Sequence, residues 1–290
     1  MPHVHAGEPH VFPGPITVAL LLAALVYLRG WLRLRTRSPT VVPAWRLTCG
    51  LAGLLSVWVA VGSPLAALDH EWLTAHMVQH LLLMSVAAPL MLLGRPVVSA
   101  LRGLPGPVVS ILRSWSRTPV AQRIGGAIAR PAFGWCAATL TLTLWHVPAV
   151  LTTAMHSNTW HLIQHASFLA TGLLFWWPVV QRWPGATTEP QWSMVLYLFL
   201  ATLPCDVLSA FLVFSERVAY PIYLATSGRS AASVLEDQQY AGALMWTCVT
   251  LVYLVVGAMF SMRLLAVPDP SRDHRDVYAC AQRGQSNTAL

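Results

Sequence analysis

An all-α, polytopic membrane bundle of seven transmembrane helices, its N-terminus outside and its C-terminus cytoplasmic, is the fold this sequence predicts. Three observations predict it. Hydrophobic residues fill 56% of the 290 positions and charged residues 10%, against roughly one-quarter charged in soluble domains. The apolar residues gather in runs near the ~20-residue length that crosses a bilayer. Sixteen of the 18 cations fall in every second segment between those runs, the side that the positive-inside rule assigns to the cytoplasm.

Taken in order, residues 1–13 form an external N-terminal tail with His3, His5 and His10. A short His-rich tract can collect metal. Pro2 has no amide N–H to deprotonate, which disfavours a tight amino-terminal Cu(II) chelate, and an incidental tail is the competing reading. The transmembrane domain, 14–265, holds apolar runs at 14–30, 43–62, 72–93, 132–150, 160–181, 193–214 and 240–262. The first is not a signal peptide, because no basic segment precedes it and Arg29, Arg33, Arg35 and Arg37 follow it. That flank places the N-terminus outside. The longest inner segment, 94–131, interleaves six arginines with Leu, Val, Ile and Trp115. It is either a helix on the cytoplasmic membrane surface or a solvated basic loop. Only Arg217 and Arg229 fall on the outer side, and a polar cytoplasmic tail, 266–290, ends the chain.

The formal net charge is +7, every cation being Arg, but the charges cluster between apolar runs. That distribution points to membrane lipid rather than nucleic acid. Five cysteines stand singly, with no CxxC, so the sequence offers no disulfide framework and no Cys-rich metal site. It also lacks a Walker loop, a nucleophile elbow, an HExxH helix and a dinucleotide fingerprint. No nucleophile is paired with a base, and the expectation is a protein that is not an enzyme.

Histidine is the informative residue. His76 and His80 lie near the outer end of the third run, in HMVQH, and His161 and His165 near the outer end of the fifth, in HLIQH. Each pair is i,i+4, which aims both imidazoles from one helix face. His146 closes the fourth run in LWHVP. Five imidazoles from three helices therefore share one depth. A lone intramembrane His is commonly a hydrogen-bonding helix contact, but two pairs and a third helix at matched depth favour metal or cofactor binding. Intramembrane ionisable groups face the bundle interior, and neutral imidazole suits Cu, Zn, Fe and Ni. Met77, Met84 and Met155 are nearby in sequence; thioether selects Cu(I), though most Met in a membrane protein is packing. Met84 falls one turn below His80 on the same face.

Among the acids, Asp237 opens the seventh run and reads either as a helix cap or as an acceptor for an imidazole N–H, or a ligand itself. Asp206, after Pro204 in LPCDVL, sits well inside an apolar run, where ligation, proton handling or pairing with His are open. Asp69 and Glu71 read as solvated loop charges.

Seven short motifs then appear in order: SPL (63–65), HMVQH (76–80), APLMLLGRP (88–96), LWHVP (144–148), HLIQHASF (161–168), LFWWPV (174–179) and DQQYAGALMW (237–246). In these the chain resembles, over roughly 60–260, the seven-helix CtaG-type family of cytochrome c oxidase assembly factors. The resemblance implies a multi-pass protein of the bacterial inner membrane that handles copper for a haem–copper oxidase; a soft, low-coordinate Cu(I) site is the expected form, because it permits the ligand exchange a donor needs. It implies oxidase subunits as partners, with periplasmic copper carriers as further ones. The His-containing tail and Asp206 are not part of that resemblance. Two other readings stay open: a membrane b-type cytochrome or haem-handling protein with axial His ligands, and a copper permease, which needs polar groups continuing toward the cytoplasm.

Overall fold

The computed structural model describes residues 14–36, 43–181 and 192–265; the two terminal tails and Arg182 lie outside the described residues. All regular elements among these residues are helical. Helix α1 (Gly14–Arg35) is followed by α2 (Ala44–Gly62) and by the one-turn α3 (Leu65–Leu68). Helix α4 (Leu73–Leu81) runs through a π-helical segment, Leu82–Ala87, into α5 (Ala88–Leu93). The basic stretch 94–131 is helical rather than a loop, as α6 (Pro96–Gly103), α7 (Gly106–Ser116) and α8 (Pro119–Ile128). Each of the three carries a proline in its first two positions or opens on one, where the missing N–H costs no helical bond. Ile111, Trp115 and Val120 are exposed on α7 and α8 beside Arg113, Arg117 and Arg123, the composition of a surface-lying amphipathic helix.

Helix α9 (Pro131–Trp145) meets α10 (Pro148–Met155) at a 77° bend. The expected straight run 132–150 is thereby corrected. Pro148 pushes Val147 into extended backbone, φ −66 and ψ 124, and ends the helix before it. Helices α11 (Asn158–Gln181), α12 (Trp192–Phe214), the short α13 (Ile222–Ser227) and α14 (Ala231–Leu265) complete the bundle. Helix α14 begins well before the expected position 240, because its polar first turns, AASVLEDQQ, are helical as well. Among the described residues, five helices are long and apolar enough to cross a membrane: Gly14–Arg35, Ala44–Leu68, Leu73–Leu93, Trp192–Phe214 and Ala231–Met262. The bent α9–α10 pair makes a sixth if it is one span.

The α4–α5 span is central, packed against α2, α11 and α14. Small residues permit the close approach, as they do wherever helices pack in lipid. A Cβ on Gly172 of α11 would stand 3.1 Å from the Met84 Cα, and one on Gly53 of α2 would stand 2.8 Å from the Met91 backbone nitrogen. The π-helical segment lies at this crossing. Its Met84 carbonyl accepts the indole N–H of Trp176 at 2.9 Å, and such π turns gather at functional sites. At the arginine-rich end, the Tyr27 hydroxyl lies 2.8 Å from the Arg46 carbonyl and 2.9 Å from that of Gly94. That contact ties α1, α2 and the end of α5 together, away from the histidines.

Candidate metal centre

HMVQH on α4 and HLIQH on α11 face each other across the bundle. The i,i+4 spacing stacks each pair one helical turn apart, with ring centroids 4.3 Å apart for His76–His80 and 4.4 Å for His161–His165. Across the helices, His76 lies 5.7 Å from His161 and His80 lies 5.7 Å from His165. His146, the C-cap of α9, lies 6.1 Å from His80. His76, His80, His146 and His165 are all buried. The five histidines singled out by spacing are thus one contiguous cluster.

Asp69 corrects the sequence reading. It is completely buried, whereas its neighbour Glu71 is exposed as expected of a loop charge. The turn after α3 folds it inward, so that its carboxylate lies 3.5 Å from His161 Nε2 and 3.7 Å from His70 Nε2. Burial pushes its carboxyl up to about 7, since a low dielectric disfavours the anion. Among the described residues, Asp69, His76 and His161 form the one group of three ligand-bearing side chains whose donor atoms lie mutually within 4.8 Å. Both Asp69 oxygens, His76 Nδ1, His161 Nε2 and both nitrogens of His80 are buried without a hydrogen-bond partner. Orphaned polar atoms are rare in folded proteins, and six converging on one place fit a cation, to which the carboxylate oxygens and the unprotonated nitrogen of each neutral imidazole offer lone pairs. The available signal was His70 immediately after Asp69, one short turn before the third run.

The glutamines within the two motifs were also missed. Gln79 and Gln164 are fully buried and cross over: Gln79 on α4 lies 3.1 Å from His165 Nε2 on α11, and Gln164 on α11 lies 3.3 Å from His76 Nε2 on α4. Each motif therefore supplies an amide that orients an imidazole of the other. His165 Nδ1 lies 2.9 Å from the His161 carbonyl; that oxygen and Gln79 Oε1 both accept, so the one proton of the neutral ring serves one of them at a time. Orienting contacts of this kind hold ligating histidines in place. The repeated H-x-x-Q-H spacing was the legible clue.

The remaining candidates separate. Met77 is buried with its sulfur 3.4 Å from His146 Nε2. Met84 and His80 line one cavity of about 50 Å³, as does Ser85, five residues from His80; the π turn brings that i+5 position round. Asp206 is half-buried on α12 and outside the ligand group. Asp237 is spent on the fold. Its carboxylate accepts from the Leu73 and Thr74 amides at 2.7 and 3.4 Å and from the Thr74 hydroxyl at 2.7 Å, capping α4 from a distant helix. Arg229 pairs with it at 3.4 Å and covers Trp72 at 3.9 Å from the ring centroid. Asp237→Ala is expected to destabilise the protein by about 1–3 kcal/mol, read as a lower thermal midpoint in detergent. Asp237→Asn should fall between it and the wild type.

Residues 25–266 match the family described as cytochrome c oxidase caa3 assembly factor. An uncharacterized protein of Mycobacterium leprae is 22% identical over 255 residues, covering 84% of this chain and 38% of the relative. Uncharacterized proteins of Mycobacterium bovis and Mycobacterium tuberculosis are each 25% identical over 251 residues, with the same shares. The chain thus spans 38% of the length of these curated relatives. No solved structure gives a significant match.

Proposed function

We propose, from the premise that this chain belongs to the cytochrome c oxidase caa3 assembly factor family, that it serves assembly by holding copper in the histidine cluster and passing it to the oxidase. One observation carries the reading: Asp69, His76 and His161 bring three donor atoms within 4.8 Å of one another, and the Asp69 oxygens, His76 Nδ1 and His161 Nε2 are buried with no hydrogen-bond partner among the described residues beyond the 3.5 and 3.7 Å approaches of His161 and His70 to Asp69. His80, His165 and His146 surround that group and give the ion further imidazoles to exchange onto. Carrier chemistry needs ligands and no nucleophile or base, and the protein acts without catalysing a reaction.

The topology completes the reading. Helix α11 has 24 residues but is diluted by the polar side chains of HLIQH, and it is the seventh span once its histidines are counted as interior rather than lipid-facing. With the arginines cytoplasmic, the N-terminus is outside, the C-terminus inside, and the cluster lies toward the outer face of a bacterial inner membrane. There it can hand an ion sideways to a partner bundle.

Two observations weigh against the other readings. A haem between α4 and α11 would displace both Gln79 and Gln164, which bridge that gap at 3.1 and 3.3 Å. Phe168 also stacks on His80 at 4.0 Å. A permease needs polar groups continuing past the cluster, yet after Ser85 the central span goes on through Ala87 and Ala88, which are buried and apolar. The test is metal analysis with an absorption spectrum on the full-length protein after mild detergent extraction. Bound copper without a Soret band is expected; a Soret band without copper overturns the proposal.

A further inference from the structure

His146 Nε2 and Met77 Sδ face each other at 3.4 Å inside the bundle, and the geometry leaves no proton between them. His146 Nδ1 lies 2.6 Å from the Leu142 carbonyl oxygen, which can only accept. The proton of the neutral ring is therefore on Nδ1, and Nε2 presents a lone pair. The thioether offers only lone pairs too. Two buried Lewis bases pointed at each other are an arrangement that a cation completes. His80 stands beside them, buried, with neither ring nitrogen partnered. Its ring centroid is 6.1 Å from that of His146 and 4.3 Å from that of His76. Met77, His80 and His146 line the cavity of about 50 Å³, more than the ~10–15 Å³ a cavity needs to hold one water.

We propose that Met77, His146 and His80 form a second metal station, for a soft monovalent ion of the Cu(I) class, deeper in the bundle than the Asp69, His76 and His161 group. The inference rests on the carrier reading and adds a direction to it. The outer group has a carboxylate and no sulfur, whereas the inner one has a thioether and no carboxylate. Carboxylate suits harder ions and thioether selects Cu(I). His80 shares a helix face with His76 and adjoins His146, so it is common to both stations. An ion can cross by exchanging one imidazole at a time, without release into water.

The test titrates the purified full-length protein in detergent with Ag(I), a redox-inert monovalent ion, and separately with Zn(II). Met77→Leu, a swap of near-equal volume, should weaken Ag(I) binding by about 100-fold, at or above the 10–100-fold that an outer-sphere partner alone is worth. It should leave Zn(II) affinity within about twofold, as expected for an ion held by N and O donors. Asp69→Asn should do the reverse. X-ray absorption of the Ag(I)-loaded wild type needs no variant and should show sulfur among the nearest neighbours. Absence of Ag(I) binding, Ag(I) bound without sulfur, or an Ag(I) affinity unmoved by Met77→Leu overturns the second station. Loss of both ions on Asp69→Asn overturns it as well, because one site would then serve both. Sulfur-ligated Ag(I) with Zn(II) binding indifferent to Asp69→Asn would instead remove the outer site and leave the inner one standing.

Discussion

Replacing His76 and His161 together by leucine should empty the outer group, so that the purified protein keeps at most the ion held by Met77, His146 and His80, while the variant still folds and reaches the membrane. These two rings carry the orphaned atoms His76 Nδ1 and His161 Nε2, so an apolar side chain in their place removes buried, unsatisfied polar groups. Gln164 and Asp69 lose their contacts at 3.3 and 3.5 Å, a cost of about 1–3 kcal/mol each at most and less where the average membrane hydrogen bond of about 0.6 kcal/mol applies. The ion, in contrast, loses two of the three donors that lie within 4.8 Å of one another. Asp69→Asn should weaken binding at this outer group by about 10–100-fold on its own while leaving the inner station's affinity for a soft monovalent ion unchanged, and Gln79→Leu and Gln164→Leu should weaken the outer group in the same range, because oriented outer contacts are worth about that much. The thermal midpoint separates these effects from Asp237→Ala, which should lower stability and leave copper stoichiometry intact. Copper measured by mass spectrometry, with binding affinity from competition against a chelator, checks the series. A His76→Leu, His161→Leu protein that keeps the wild-type copper stoichiometry at unchanged affinity would remove the outer group as a copper site.

Much of this arrangement was legible because lipid imposes simple demands. Apolar runs of span length mark the helices, and the i,i+4 histidines mark one face of each. Those rules locate the cluster without any tertiary information. Asp69 escaped because its burial depends on how the turn after α3 folds over the end of α4, which no periodicity records. Asp237 read equally well as cap or ligand, since both roles need a carboxylate at a helix start; only the 2.7 Å contact with the Leu73 amide, 164 residues away, decides it. The glutamine crossover was invisible for a related reason. Each Gln makes sense only beside the histidine of the other motif, and the i,i+4 spacing sets the depth of the imidazoles alone. The bend at Pro148 was readable in principle, since a proline after Val147 biases that residue out of the helix, yet hydropathy averaged across it.

Deleting the gene under copper limitation should leave oxidase polypeptides in the membrane but short of copper and inactive. The argument runs from what a carrier changes. A donor docked on its recipient replaces the bulk ion concentration by a local one, an effect worth about 10²-fold or more when two sites are held together. Without it, loading depends on scarce free ion, and most oxidase stays empty. Excess copper should restore part of the activity, because a carrier does no chemistry that the free ion cannot eventually bypass. Cells carrying His76→Leu and His161→Leu should match the deletion although the protein accumulates normally, which separates loss of ligands from loss of the scaffold. Asp237→Ala should lower activity only as far as it lowers the amount of protein, since its carboxylate caps α4 and lies outside the ligand group. Oxidase activity per polypeptide, with copper measured on the isolated enzyme, reads all four strains. Full oxidase activity in the copper-limited deletion strain would end the assignment to copper delivery and leave the family's assembly role to be explained through a different cargo.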